Sequence, residues 1–351
     1  MLEDNNEQIV VTANGEDVNT GGGNDEVTVT GNANTINTEN GNDTVIVFGN
    51  RNETDSGSGE DNVTITGDAN TLDSKGQADS VSVTGDRNNV RSGGGADNVE
   101  IIGDSSQINS SGGDDLVTIE GSRNDIETSG GNDEIIIIGN LNELTTADGD
   151  DTVSADGKQN QIKTGGGNDT IVSKGDLNDI RSGRGDDIIK IFSSNRSVVN
   201  AGNGNDEVTI DDESRRTIVD GSMGDDTLTG GDRSDVLLGG ENNDSIDGGG
   251  DDDLLEGGAG SDTLTGGAGE DIFVFNADAF STDADVNLIT DFENFEQNGR
   301  SGDLLSIEGY TAGSDITTID GQTYTFTLGE SELTIDFGTQ ITLSEEDFLI
   351  A

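Results

Sequence analysis

Four residue types are missing from the sequence, and their absence excludes many kinds of site. The 351 residues include no His, Cys, Pro or Trp. Without His, neither an imidazole-based catalytic triad nor a zinc site of the HExxH type can form, which excludes most hydrolase classes. Without Cys, there are no disulfides, thiolate metal sites or cysteine nucleophiles. The missing Pro is compatible with continuous strand ladders, which use every backbone N–H.

Basic residues are scarce, and this decides which partners the chain attracts. There are 16 Lys and Arg against 73 Asp and Glu, which gives a net charge of -57. Such a chain repels nucleic acid and anionic membranes, so its expected partners are cations. No segment has the roughly 18 apolar residues of a membrane helix, and residues 1–6 lack the basic and apolar regions of a cleaved signal. We therefore expect no membrane span, disorder without cations, and export through some other signal.

One acidic position recurs at a fixed interval and organises the chain. It occurs every 18 residues ten times, then after 19 and 20 residues, and finally every nine residues. A short fixed period indicates a solenoid, in which each repeat buries its apolar side only against its neighbours. The positions are Asp25, Asp43, Asp61, Asp79, Asp97, Asp115, Asp133, Asp151, Asp169 and Asp187, then Asp206 and Asp226, then Asp235, Asp244, Asp253, Asp262 and Asp271.

Each 18-residue rung reads as a turn with the acidic residue, a strand, a second turn and a shorter strand. In the second rung, glycines before Asp25 allow positive φ, and Val27 and Val29 alternate with outward Thr residues. The inward positions recur as Val63, Ile65 and Leu72, as Val81, Val83 and Val90, and as Ile135, Ile137 and Leu144. The sequence predicts an all-β, parallel β-solenoid with a thin aliphatic core, and we take the usual right-handed crossing as the default.

The two edges of the predicted solenoid differ in chemistry. Parallel rungs stack about 4.8 Å apart, so neighbouring carboxylates would repel by roughly 1 to 3 kcal/mol. The opposite edge carries amides that can stack without a metal, interrupted by Ser106: Asn34, Asn52, Asn70, Asn88, Asn124, Asn142, Asn160 and Asn178.

Calcium is the cation that best suits the acidic edge. Carboxylate and carbonyl oxygens on flexible glycine turns match its preference for six to eight oxygen ligands. We expect Asp79 to bind weakly or its loop to be strained, because Gln77 replaces a recurring Gly. The alternative is a turn that binds no metal and uses Gly and Asp for their backbone conformation alone. The predicted ligands in the 18-residue rungs are Asp25, Asp43, Asp61, Asp97, Asp115, Asp133, Asp151, Asp169, Asp187 and Asp206.

Residues 221–274 form six uninterrupted nonapeptides, of which Gly230-Gly231-Asp232-Arg233-Ser234-Asp235-Val236-Leu237-Leu238 is one. They resemble the GGxGxDxUx repeats of the RTX family, whose parallel β-roll holds calcium between stacked turns. The resemblance implies inward Leu228, Leu237, Ile246, Leu255, Leu264 and Phe273. It also implies side-chain ligands Asp226, Asp235, Asp244, Asp253, Asp262 and Asp271, with backbone carbonyls of Gly231, Gly258, Gly260 and Gly267. Occupancy is less expected where Asn242 and Asp251 replace a repeat Gly. The 18-residue rungs resemble the same family less directly.

The last part of the chain has a different composition. Eight of the ten Phe and both Tyr lie between residues 273 and 351, so this part can form a small aromatic core that caps the solenoid. Segments 324–328, 333–337 and 341–343 read as strands. The ending 343–351 is similar to the uncleaved tail used by type I secretion systems. The predicted domains are a solenoid over 1–220, a calcium β-roll over 221–274 and a cap with the secretion signal over 275–351.

These features predict a secreted, extracellular calcium-binding RTX protein that folds after export and serves as a structural, surface or adhesin component. Expected partners are calcium ions, the type I secretion machinery, and a cell surface or polysaccharide. The first alternative is a module of, or a divergent form of, a polysaccharide-acting enzyme. We expect no enzyme, because rung-like residues begin within the first twenty positions, so that a preceding catalytic domain has no room unless this chain is a fragment. Ice binding is a minor alternative, since the central outer row of the first sheet lacks an unbroken hydroxyl ladder.

Overall fold

A computed structural model describes residues 5–276, 285–293, 302–308, 316–318, 321–328, 331–344 and 347–349. The chain forms two compact units, Met1–Thr170 and Ile171–Ala351. In both units, the described strands before residue 308 alternate inward with outward side chains, and the inward residues are mostly aliphatic, with Thr54 as an exception. In the described part of the chain, no helix is long and apolar enough to cross a membrane.

The first unit is a stack of parallel rungs that contribute alternately to two sheets. The strands of the first sheet are β1 (Gln8–Val11), β3 (Glu26–Thr30), β5 (Thr44–Phe48), β7 (Asn62–Thr66), β9 (Ser80–Thr84), β11 (Asn98–Ile102), β13 (Leu116–Glu120), β15 (Glu134–Ile138) and β17 (Thr152–Asp156). Those of the second sheet are β2 (Asp17–Asn19), β4 (Thr35–Asn37), β6 (Glu53–Asp55), β8 (Thr71–Asp73), β10 (Asn89–Arg91), β12 (Gln107–Gly112), β14 (Asp125–Gly130), β16 (Glu143–Thr145) and β18 (Gln161–Gly166).

The register of these sheets follows the sequence period. Val27 pairs with Val45, and Ile36 pairs with Thr54, each partner lying one 18-residue rung further on. Equivalent inward side chains therefore stack on one another between the two sheets. All the inward residues predicted in this unit are at most 2% exposed. The parallel β-solenoid and its aliphatic core are thus confirmed, whereas the right-handed crossing stays a prediction.

The second unit repeats this arrangement with less regular spacing. Its first-sheet strands are β21 (Ile188–Phe192), β23 (Glu207–Ile210), β25 (Thr227–Thr229), β27 (Ser245–Gly250), β29 (Thr263–Ala268) and β31 (Asn287–Ile289). Its second-sheet strands are β20 (Asp179–Arg184), β22 (Val198–Asn203), β24 (Ile218–Met223), β26 (Val236–Glu241), β28 (Leu254–Ala259), β30 (Ile272–Phe275) and β32 (Leu304–Ile307). Strand β19 spans Thr170–Lys174. The inward residues implied for the nonapeptides are at most 1% exposed.

The rungs lengthen after the nonapeptides without losing their parallel pairing. Leu264 pairs with Ile289, and Phe273 pairs with Leu305, so these rungs contain inserted segments. Strands β33 (Ile316–Thr318), β34 (Thr323–Leu328) and β35 (Ser331–Asp336) then pair antiparallel. This confirms a small β-rich cap. The predicted domain boundaries at 220 and 274 stay predictions.

An aromatic cluster forms the core of the cap. The ring centroid of Phe292 lies 6.0 Å from that of Phe273 and 5.2 Å from that of Phe337. The predicted strand over 341–343 is wrong, because the described backbone there is not part of a sheet. Instead, the Tyr324 hydroxyl donates to the Ile341 carbonyl at 2.9 Å. The predicted secretion tail lies partly outside the described residues, although Leu349 N–H donates to the Leu305 carbonyl at 2.9 Å.

Adjacent residues of β11 provide a test of the core. Ile101 is fully buried, whereas Ile102 is 39% exposed on the outer face. We expect Ile101→Ala to lower the free energy of unfolding by about 2 to 5 kcal/mol, since it leaves a cavity in a stacked core. Ile102→Ala is the control and should change it by about 0.5 kcal/mol or less. Denaturant unfolding in saturating calcium measures both, and equal effects would contradict the assigned strand orientation.

Candidate metal centre

The recurring Asp residues lie inside the turns, where one carboxylate oxygen bonds to the backbone. Each is at most 3% exposed. The backbone N–H of Asp25 donates to Oδ1 of Asp43 at 2.8 Å, and Asp43 donates in the same way to Asp61 at 2.9 Å. The pattern continues in the second unit, where Asp226 N–H donates to Asp244 Oδ1 at 2.8 Å. Oδ1 therefore joins consecutive rungs and is already occupied.

The second carboxylate oxygen, Oδ2, is the atom that lacks a partner. In most of these residues it is buried and accepts no hydrogen bond within the described part of the chain. A buried anionic oxygen without a donor is strongly destabilising unless a proton or cation neutralises it. The residues concerned are Asp25, Asp43, Asp61, Asp79, Asp97, Asp115 and Asp151 in the first unit and Asp206, Asp226, Asp244, Asp253 and Asp262 in the second.

Burial also makes these carboxyls hard to ionise. Desolvation, reinforced by neighbouring carboxylates, raises the pKa of Asp244 and of Asp253 to about 8. The same causes raise the pKa of Asp79 and of Asp206 to about 7. Without a cation, the stacked carboxylates therefore favour protonation, which marks this edge as one that binds positive charge.

On the opposite edge of the first unit, amide side chains form the hydrogen bonds that join consecutive rungs. Asn34 N–H donates to Asn52 Oδ1 at 2.9 Å, which repeats the backbone geometry of the Asp row. The amide group of Asn52 also donates to the Gly31 carbonyl at 3.1 Å. Ser106 keeps the row intact, since its hydroxyl accepts from Asn88 N–H at 3.1 Å. The predicted row of stacked amides is thus observed.

In the nonapeptide region, Asp occupies both edges. Thr217 N–H donates to Asp235 Oδ1 at 2.8 Å, and Asp235 N–H donates to Asp253 Oδ1 at 2.7 Å. The row ends with Asp271 N–H donating to Asp303 Oδ1 at 3.1 Å. Sequence reasoning missed Asp303 because the inserted segment breaks the nine-residue spacing. The signal was the Asp-x-apolar pattern of Asp303-Leu304-Leu305.

The residue five positions before each recurring Asp differs between the nonapeptide turns and the turns of the 18-residue rungs. In the nonapeptides it is Gly, and a methyl group there would overlap Oδ2 in the pairs Gly221–Asp226, Gly239–Asp244, Gly248–Asp253, Gly257–Asp262 and Gly266–Asp271. Before Asp206 the same position is Ala201, and before the other Asp residues of the 18-residue rungs it is a buried hydroxyl: Thr20, Thr38, Ser56, Ser74, Ser92, Ser110, Thr128, Thr146, Thr164 and Ser182.

These hydroxyls partly compensate the carboxylates, and sequence reasoning missed them. Burial raises the pKa of Asp43, and the neighbouring Thr38 hydroxyl opposes that rise. Several hydroxyls also donate along their own row, as Thr38 does to the Ser56 carbonyl at 2.8 Å. Their fixed spacing from each Asp was the available signal. They do not supply a hydrogen bond to Oδ2 of Asp43, which stays without a donor among the described residues although Thr38 lies beside it.

The glycines expected to supply carbonyl ligands lie in the tightly stacked turns. Gly258, Gly260 and Gly267 have φ values of +99°, +131° and +96°, and an added methyl at each would overlap a carbonyl of the preceding rung. The Gly231 carbonyl accepts from Gly250 N–H at 2.9 Å. Asn242 and Asp251, which replace repeat glycines, also have positive φ values of 84° and 59°. Gln77 likewise has a φ of 79°, a conformation that favours glycine.

The available donors fit calcium rather than a softer metal. Among the described residues, no three acidic side chains converge on one point, so any ion must complete its shell with backbone carbonyls or water. Carboxylate Oδ2 atoms and turn carbonyls are hard oxygen ligands on adaptable loops, which is the donor set that calcium prefers.

The comparison with protein families also indicates calcium binding. The model of the RTX calcium-binding nonapeptide repeat matches residues 13–47, 145–178, 220–255 and 247–279. The chain carries RTX repeats. Such repeats bind Ca²⁺ at multiple sites, and the matches include 18-residue rungs as well as the nonapeptides. No curated protein sequence is significantly similar to the chain.

The raised pKa values predict how pH affects the calcium-free protein. Because the folded pKa of Asp244 and Asp253 is about 8 instead of 3.8, the folded state binds protons more tightly than the unfolded chain. Acidification from pH 8 towards pH 5 should therefore increase β-structure in chelator, and this stabilisation should be lost as pH rises through about 6 to 8. Far-UV circular dichroism measures the effect. Less β-structure at pH 5 than at pH 8 would contradict it.

Replacing one nonapeptide carboxylate should remove calcium without breaking the rung. Asp244→Asn keeps an acceptor for Asp226 N–H but removes the charged Oδ2. We expect fewer bound ions and a loss of about 2.7 kcal/mol of stability per lost ion at 100 times its dissociation constant. Exposed Asp247, three residues away, gives the control Asp247→Asn with the same charge change. Calcium content after gel filtration measures both, and unchanged content in Asp244→Asn would exclude Asp244 as a ligand.

Proposed function

We propose that this RTX protein is a non-enzymatic, extracellular structural component that folds when it meets calcium outside the cell. The observation that carries the proposal is the row of buried Oδ2 atoms without hydrogen-bond donors. In a cytosol poor in calcium, the unfolded chain avoids burying these charges, and it can pass through an export channel. Outside, calcium neutralises the rows and stabilises the stacked rungs.

The proposed side-chain ligands are the Asp residues of the recurring rows. We assign the nonapeptide Asp residues 226, 235, 244, 253, 262 and 271 the largest dependence on calcium, since only glycine stands five residues before each. Carbonyls of Gly231, Gly258, Gly260 and Gly267 would complete their shells. The Asp residues of the 18-residue rungs are also proposed ligands, with a smaller dependence wherever a hydroxyl lies in the corresponding place, which is the case for all of them except Asp206.

Export through a type I secretion system is the proposed route, and a cell surface, matrix or polysaccharide is the proposed site of action. The support is the terminal segment 343–351 with its similarity to type I tails, together with the family's calcium-binding repeats. Adjacent rungs share their carboxylate rows, so one bound ion orders the site of the next. Calcium-driven folding should therefore be cooperative.

A calcium titration of chelator-treated protein tests the folding mechanism. We expect a steep coil-to-β transition in far-UV circular dichroism around 0.1 to 1 mM calcium, the range of extracellular calcium modules. Magnesium is the control and should be much less effective, because it prefers a tight octahedral shell and keeps its waters. A chain that is already folded in chelator at pH 8, where most of the carboxylates are ionised, or that magnesium folds equally well, would refute the mechanism.

A further inference from the structure

A stripe of aliphatic side chains lies on the outer face of the second sheet in the second unit. Parallel pairing places one residue per rung in line, and the two at the start of the stripe are exposed, Val198 by 43% and Ile218 by 42%. The stripe consists of Val198, Ile218, Val236, Leu254 and Ile272, and its row continues to Leu304 of the rung after the insertion. These side chains point away from the core, because their neighbours Val199 and Leu237 are buried.

The fold itself does not require this stripe to be apolar. The same strand position in the first unit is polar or charged in every rung: Asp17, Thr35, Glu53, Thr71, Asn89, Gln107, Asp125, Glu143 and Gln161. An apolar row on the outer face of a chain with a net charge of -57 therefore needs another explanation. A row of this kind indicates a contact surface.

Charged residues on one side of the stripe change sign from one end to the other, whereas the other side carries the acidic Asp220 and Glu256. The stripe lines an open groove of about 610 Å³, which is also lined by the residues two positions before each aliphatic one. In order, these residues are Arg196, Arg216, Ser234, Asp252 and Glu270. Within the described residues, Arg196 and Arg216 form no ion pair, unlike Arg233, whose guanidinium lies 3.5 Å from Asp251.

This order of charges is complementary to itself when reversed. A two-fold axis through the middle rung, at Val236, would place Arg196 beside Glu270 of the partner subunit. It would also place Arg216 beside Asp252 of the partner subunit, while the two aliphatic stripes face each other. The same axis brings Asp220 opposite Glu256 of the partner subunit, so the four Arg–acid contacts outnumber two like-charge ones. Self-complementarity of this kind is what an isologous interface requires.

We propose that two copies of the calcium-folded chain associate antiparallel through this stripe. Its five rungs span about 19 Å at 4.8 Å per rung, which is short for a standard interface of about 800 Å² per partner. The net charge of each copy also opposes association until salt and calcium screen it. The dimer should therefore be reversible and in the micromolar range.

Charge reversal tests the pairing directly. By sedimentation equilibrium in calcium and about 0.15 M salt, the full chain should form a dimer. Arg196→Glu and Glu270→Arg should each weaken it by about tenfold or more, because each places like charges opposite one another. An equimolar mixture of the two variants should restore dimerisation, since each reversed residue then faces an opposite charge. Non-specific association does not predict this rescue.

Two further variants separate the stripe from general effects. Arg51→Glu reverses an arginine at an equivalent turn, with a φ of 58° against 61° for Arg196, and should leave the dimer intact. Leu254→Thr should weaken it while leaving the fold unchanged, because Thr35 and Thr71 occupy this strand position in the first unit. Circular dichroism and calcium content verify folding. A monomeric wild type at about 100 µM, or a mixture that dimerises no better than either variant alone, would overturn the proposal.

Discussion

The structure depends on a parallel register in which each rung lies directly on the equivalent rung before it. In such a stack, a side chain at a given position meets a copy of itself about 4.8 Å away. An aliphatic position becomes a continuous core, as Val27, Val45 and Val63 show. An acidic position becomes a row of like charges. The constraint that stabilises the fold therefore also creates its demand for cations.

The Asp and Asn rows show how small the difference between a metal-dependent and a metal-free edge is. Asp25 and Asn34 use the same bond, from a backbone N–H to the Oδ1 of the next rung, at 2.8 and 2.9 Å. They differ only at the other terminal atom of the side chain. The amide nitrogen of Asn52 reaches the Gly31 carbonyl, whereas Oδ2 of Asp43 receives no donor. One row is complete in protein alone, and the other requires a proton or an ion.

The nonapeptides and the 18-residue rungs both bury a carboxylate in each turn, but they place different residues beside it. A buried Thr or Ser beside the carboxylate reduces the dependence of an 18-residue rung on an external charge. Burial and neighbouring carboxylates raise the pKa of Asp244 and Asp253 to about 8, the highest values, whereas the pKa of Asp226, which also has glycine five positions before it, reaches only about 6. The need for a neutralising charge therefore varies along the chain with burial and with neighbouring carboxylates, and not with this side-chain position alone.

The solenoid, its core and its two edges were predictable because they depend on spacing that repeats along the sequence. The hydroxyl row was not recognised, because Ser and Thr near a turn are too common to stand out singly. Asp303 was missed where inserted segments broke the spacing. Segment 341–343 has the alternating pattern of a strand, and it was wrongly predicted as one. In the structure, the Ile341 carbonyl accepts a hydrogen bond from the Tyr324 hydroxyl instead of pairing with a neighbouring strand. The charge order along the outer stripe became visible only once pairing placed residues 18 to 20 apart side by side.

The variable rung length has a consequence for how such a chain can change over generations. Val199 pairs with Val219 across 20 residues, and Phe273 pairs with Leu305 across an even longer segment, yet both pairs keep their inward side chains aligned. Extra residues are absorbed in turns, and whole rungs contact only their immediate neighbours. Duplication or loss of an 18-residue unit would preserve both the core and the edges. Length is thus a property that evolution can adjust in steps without inventing a new fold.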